Sequence, residues 1–255
     1  MTRPRPHLTT LARSRSARKR LTLSRDVPAS WARSAWFILI VTPSPGGSGA
    51  SSATSCDKTP ATRLGTVWKD WREIPREIFV PERQRRRAYA DSALPIGSGQ
   101  TISQPWIVAA ICQALELRGT EKVLEIGTGS GYSTAVLARL AAEVITIERH
   151  AELAQDAAAR LKELGLTNVE VVVGDGSRGL PERAPFEAIA VHATAPGPPI
   201  SLIEQLAPDG RLVVPVASRR ADMLTQYRRR DGEIVTNVIG PSRFVPLIGE
   251  EGFNP

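Results

Sequence analysis

The chain has little of what several protein classes require. It has two cysteines, Cys56 and Cys112, far apart and without a CxxC partner. Neither a disulfide framework nor a cysteine-based metal site can be assembled from them, and a reducing, cytoplasmic setting is expected. Its three histidines, His7, His150 and His192, fall at no metal-ligand spacing, so no metal is expected. Long apolar runs are also missing. The longest in the first third, Trp36–Val41, is too short to cross a bilayer as a helix, which argues against a membrane protein.

The net charge of +7 is unevenly spread. Residues 1–65 hold 11 Lys/Arg against Asp26 and Asp57, a net +9, whereas the other 190 residues hold 22 basic and 24 acidic side chains, a net −2. The basicity therefore belongs to a Ser/Arg/Pro/Gly-rich leading segment that reads as a disordered extension with a linker around 43–55. A signal peptide, and a later start near Val67, are other readings of the same stretch. A compact domain is expected over 66–255, with a monomer as the simplest assembly.

From residue 66 onward, apolar segments alternate with turn signals. Helical periodicity marks 107–117, 134–142, 151–164 and 201–206. Short apolar runs at 123–126, 144–147, 169–173, 188–191 and 211–216 read as buried strands, and 223–229 with 233–239 reads as a hairpin turning at Asp231-Gly232. Strands alternating with helices predict an α/β, Rossmann-like fold, a mostly parallel sheet with a C-terminal antiparallel hairpin.

In such sheets the ligand lies at the carboxyl ends of the strands. The first strand runs into Glu125-Ile-Gly127-Thr-Gly129-Ser-Gly131-Tyr132, where the glycines permit a tight turn and close approach to backbone. Tyr132 breaks the GxGxxG dinucleotide pattern. Glu148 ends the second strand, where a carboxylate can accept ribose hydroxyls, and Gly174-Asp175-Gly176 closes the third, where an acid suits an adenine edge. Three such features on successive strands predict a pocket for an adenosine-containing ligand.

Four segments resemble the protein-L-isoaspartate (D-aspartate) O-methyltransferase family: Ala93-Leu-Pro-Ile-Gly-Ser-Gly-Gln-Thr-Ile-Ser-Gln-Pro105, Val123–Tyr132, Gly174–Gly176 and Phe244-Val-Pro-Leu247. Ile74-Pro-Arg-Glu-Ile-Phe-Val-Pro81 is similar to the segment that precedes the first of them. The resemblance implies a class I S-adenosylmethionine-dependent methyltransferase with a seven-stranded sheet. It implies that Ser103 is the active-site residue and that Thr101 and Ile102 line the pocket. Gly127, Gly129 and Gly131 would cradle the methionine end of S-adenosyl-L-methionine, Glu148 would hold the ribose, Asp175 with Gly176 would face the adenine, and Glu125 is also expected to bind the cofactor. The expected substrates are proteins or peptides carrying isoaspartate or aspartate. The methyl ester formed loses methanol to a succinimide, which reopens partly to normal aspartate and so repairs the chain.

Ser103 has a second reading as a helix N-cap ahead of Gln104-Pro105. Its hydroxyl is not needed as a base, because an isoaspartyl carboxylate is already ionised at pH 7. His192, in Val191-His192-Ala-Thr-Ala-Pro196, departs from the more uniformly small stretch of the family; it either alters the shape of the substrate side or caps the strand, and the cap is the favoured reading. A tryptophan-rich entry, Val67-Trp-Lys-Asp-Trp71, keeps open a related enzyme that methylates a chosen Asp in a ribosomal peptide. A nucleic-acid amino-methyltransferase is disfavoured, because (Asp/Asn)-Pro-Pro-aromatic is missing after the fourth strand.

Overall fold

The computed structural model describes residues 74–254. The basic segment 1–65, the run 36–41 and the tryptophans at 68 and 71 lie outside the described residues. Two 3-10 turns, Arg76–Phe79 and Glu82–Arg87, lead into a small hairpin of β1 (Leu94–Gly97) and β2 (Gln100–Ile102). Its turn residues Ser98 and Gly99 both have positive φ, 48° and 69°, as a tight two-residue hairpin loop requires. Sequence reasoning took this stretch only as a signature, because its strands are too short for a period of two to show.

The main sheet contains β3 (Lys122–Ile126), β4 (Glu143–Glu148), β5 (Val169–Val173), β6 (Phe186–Val191), β7 (Leu206–Val216), β8 (Asp222–Arg230) and β9 (Glu233–Ser242). Their spatial order is β5-β4-β3-β6-β7-β8-β9. The first five strands pair in parallel, and β7-β8-β9 pair antiparallel. The helices are α1 (Pro105–Leu115), α2 (Tyr132–Leu140), α3 (Ala151–Glu163) and α4 (Ile200–Glu204). Each expected strand and helix is present, with ends shifted by a few residues. The largest shift is at β7, where Leu206 already pairs with Phe186.

Local chemistry accounts for these ends. Helix α1 stops two residues early because Glu116 turns left-handed, φ 50°, and the buried Arg211 donates Nε to Leu115 O and Nη2 to Glu116 O, satisfying carbonyls that the helix leaves open. Asp231 and Gly232, both at positive φ, turn β8 into β9. The centre of the sheet is apolar on both faces, with Leu124, Ile145, Ile189 and Leu212 at 0% exposure. Cys112, on α1, is fully buried, and burial together with the nearby Glu125 charge pushes its thiol up to about 12.

From β3 the chain runs outward through β4 to β5, then returns to the other side of β3 for β6 and β7. The strand order reverses between β3 and β6, and the loops leaving these two strands splay apart to leave a crevice.

Candidate active site

A cavity of ≈190 Å³ occupies that crevice. Its floor is the loop after β3. Gly127 and Gly129 have φ of 94° and 53°, and the backbone folds back so that Gly127 N–H donates to Ile147 O (2.8 Å) and Gly129 N–H to Glu148 Oε2 (2.8 Å). Glu148 thereby has one oxygen on the loop and the other on His150 N–H (3.0 Å), with its remaining lone pairs at the cavity rim. The β1–β2 hairpin forms the opposite wall through Gly99–Ser103. The segment Val245–Ile248 closes a further side, held to β6 by Thr194 N–H to Val245 O and Leu247 N–H to Thr194 O, both 2.8 Å.

A second cavity, ≈310 Å³, adjoins the first; it is built by Ala93, Trp106 and Pro241–Val245 among others. Thr101, Ser103, His192 and Val245 line both cavities and form the wall between them. Together the two volumes fall in the range of small-molecule sites.

Seven of the expected residues line the first cavity: Thr101, Ile102, Ser103, Gly127, Gly129, Glu148 and Gly176. Gly176 sits against the core so closely that a Cβ would lie 2.5 Å from Ile126 Cγ2. Three of the residues expected to bind the cofactor, Glu125, Gly131 and Asp175, do not line this cavity. Glu125 is 0% exposed beneath the loop, because alternation along β3 turns it away from the cavity. Its Oε2 accepts from Thr134 (2.5 Å) and Thr146 (2.7 Å), and Oε1 lies 3.1 Å from His192 Nε2. Gly131 starts α2 and packs on α3, where a Cβ would come 3.2 Å from Ala157 Cβ. Asp175 caps the turn Gly176–Arg178, accepting from Ser177 N–H, and its other oxygen accepts from Glu250 N–H, both at 2.8 Å. Burial works against its ionisation, but the Glu250 and Ser177 amides, the Ser177 hydroxyl and the Arg149 charge outweigh it and hold the carboxyl below its usual range.

Ser103 is not the N-cap of α1. Gln104 takes that position in extended geometry, and its carbonyl accepts from Ile107 N–H and Val108 N–H. Among the described residues the Ser103 hydroxyl has no hydrogen-bond partner, which leaves it available at the shared wall. His192 is more than a strand cap. Its backbone N–H donates to Ile126 O, its Nε2 is 2.9 Å from Ser133 Oγ, and its ring is 3.1 Å from the buried Glu125. Sequence reasoning missed Tyr132, Ser133 and His150, which also line the first cavity. The break of the dinucleotide pattern at Tyr132 was the one available signal.

Several observations fit S-adenosyl-L-methionine. The glycine loop has no side chains over the cavity at Gly127 and Gly129, and a Cβ on Gly129 would press against Ile96 Cδ1 at 3.4 Å. A carboxylate stands at the end of β4, where a nucleoside sugar is held in folds of this topology. Fold and site together define a class I S-adenosylmethionine-dependent methyltransferase. The chain belongs to the protein-L-isoaspartate(D-aspartate) O-methyltransferase (PCMT) family, whose model matches residues 59–252. Among curated relatives, a protein-L-isoaspartate O-methyltransferase of Roseiflexus sp. (strain RS-1) is 52% identical over 177 residues, covering 69% of this chain and 81% of the relative. Protein-L-isoaspartate O-methyltransferase 1 of Rhodopseudomonas palustris (strain HaA2) is 56% identical over 184 residues, 71% of this chain and 75% of the relative. A solved protein-L-isoaspartate O-methyltransferase superposes with a TM-score of 0.68 at 30% identity, over 74% of this chain and 64% of that one. The fold is shared too with a PCMT structure from Plasmodium falciparum in complex with S-adenosyl-L-homocysteine (TM-score 0.64, 24% identity, 73% of this chain and 94% of that one).

Proposed function

We propose that this chain transfers a methyl group from S-adenosyl-L-methionine to the free carboxylate of L-isoaspartyl residues in proteins or peptides, as a monomer in the cytoplasm with neither nucleic acid nor membrane as partner. The observation that carries the reading is the wall of Thr101, Ser103, His192 and Val245 between the two cavities. A donor in one and an acceptor in the other meet across that wall. When bound, S-adenosyl-L-methionine supplies a methyl on a sulfonium, activated toward an oxygen nucleophile.

The protein's own residues have three tasks. Gly127 and Gly129 let the backbone approach the donor, and Glu148 offers lone pairs to its sugar hydroxyls. Gly174 and Gly176 both line the cavity and leave room for the base, while Asp175 between them fixes the turn. Ser103 presents a hydroxyl donor that can hold one oxygen of the acceptor carboxylate while the other reacts. Alignment and exclusion of water then supply the rate, and no general base is required.

The test mixes purified full-length protein, labelled S-adenosyl-L-methionine and a pair of peptides that differ only in Asp or isoAsp. Base-labile label on the isoAsp peptide alone is expected. Label on ordinary Asp at one position, with none on isoAsp, would replace this reading by modification of a dedicated peptide. Ser103→Ala should lower kcat by roughly 10- to 100-fold while cofactor affinity stays within a few-fold; unchanged turnover would remove Ser103 from the site.

A further inference from the structure

Arg76 lies outside both cavity walls, yet it is the largest of the fully buried side chains, at 0% exposure. Its Nε donates to Ala88 O at 2.7 Å, and its Nη2 donates to Ser103 O at 2.8 Å. Its guanidinium carbon stands 4.7 Å above the centre of the Tyr132 ring, which Phe79 meets edge-on at 5.5 Å. Nη1 is buried with no partner, and no carboxylate among the described residues forms an ion pair with the group. Against the burial, the Tyr132 side chain supports its charge first, through charge and a hydrogen bond, and Asp91, which accepts from Trp106 N–H, adds less.

An arginine keeps its proton inside proteins, so burial here leaves a positive charge that carbonyls and a ring face only partly satisfy. Both groups it holds belong to the site. Ser103 forms part of the wall between the cavities, and Tyr132 lines the first. An apolar side chain of similar volume would avoid the desolvation cost but would leave the Ala88 and Ser103 carbonyls without these donors.

We infer that Arg76 is a positioning residue with two separable effects: its hydrogen bond to Ser103 O fixes the wall against which the acceptor is aligned, and its unpaired charge behind that wall draws in the acceptor carboxylate. The inference rests on the carboxyl-methylating reading above. It assigns the geometric effect to kcat and the electrostatic effect to the KM for the peptide. The short 3-10 turns at 76–87 are thereby part of the acceptor side of the enzyme, contributing through this one side chain.

The experiment compares full-length wild type, Arg76→Gln and Arg76→Lys, each checked as folded by circular dichroism. Steady-state methylation of an isoaspartyl peptide gives kcat and KM, and calorimetry gives S-adenosyl-L-homocysteine affinity. Arg76→Gln, which removes the charge, should raise the peptide KM about tenfold or more with cofactor affinity within threefold. Arg76→Lys keeps the charge but cannot reach both carbonyls; its KM should stay near wild type while kcat falls about tenfold. Unchanged KM in Arg76→Gln, unchanged kcat in Arg76→Lys, or cofactor affinity falling as far as peptide affinity would each overturn the inference. Should Arg76→Gln not fold, the kcat of Arg76→Lys decides the matter, and failure of Arg76→Lys to fold would show a purely structural tie. If wild type itself does not methylate the peptide, it is the functional reading that fails.

Discussion

Glu125 shows how far a residue's role depends on the face of the strand it occupies. Its carboxyl group is at 0% exposure, held by two threonine hydroxyls and facing an imidazole. Removing one partner from such an enclosed cluster leaves other polar groups stranded. Glu125→Ala is expected to lower stability by about 3 kcal/mol in urea unfolding, with Glu125→Gln losing clearly less. An alanine variant as stable as wild type would mean that the cluster is not held as described. Asp175 makes a prediction about acid. Its folded carboxyl lies below the usual range, so its contribution is fully present above the unfolded value, near 3.9, and is lost as pH falls through the folded one. The protection of the Glu250 and Glu251 amides, taken against the intrinsic exchange rate at each pH, should therefore fall on acidification below about pH 4, and Asp175→Asn should show that lower protection already at neutral pH.

At the level of elements, the glycine loop owes its shape to a neighbour as much as to its own sequence. Gly131 combines φ of 89° with a 3.2 Å clearance to Ala157 for any added Cβ. Gly131→Ala is expected to cost roughly 1–3 kcal/mol and to weaken S-adenosyl-L-homocysteine binding, both readable by thermal shift with and without ligand. The order of strands and helices was legible in the sequence, because buried parallel strands leave continuous apolar runs and amphipathic helices leave a 3.6-residue period. The glycine loop and Glu148 were legible because both follow strand ends directly. Three things were not. Glu125 looked like part of the motif, since one residue of register separates the cavity face from the core face. The bond from Glu250 N–H to Asp175, 75 residues earlier, could not be read from the sequence either. Arg76 meets Ser103 27 residues away, a contact that neither periodicity nor a local motif encodes.

For the whole molecule, binding and folding are linked through the crevice. A ligand that contacts β3, β4, the β1–β2 hairpin and the 245–248 segment at once favours the folded chain alone. S-adenosyl-L-homocysteine at about 100 times its Kd should add about 2.7 kcal/mol to unfolding stability; no shift would show that the crevice does not bind it. The family match begins at residue 59. A chain lacking residues 1–58 is therefore expected to methylate the isoaspartyl peptide with kcat/KM within twofold of the full chain, and a larger loss would tie the basic segment to catalysis.

The enclosed thiol of Cys112 has a practical consequence. With its pKa pushed up to about 12 and only 3% of its surface exposed, it reacts with an alkylating reagent mainly when α1 lifts from the sheet. In a Cys56→Ser background, the labelling rate becomes a clock for rare openings of the interior. That clock can be read by mass spectrometry at concentrations far too low for calorimetry, with cofactor and peptide each added in turn to see which one slows it.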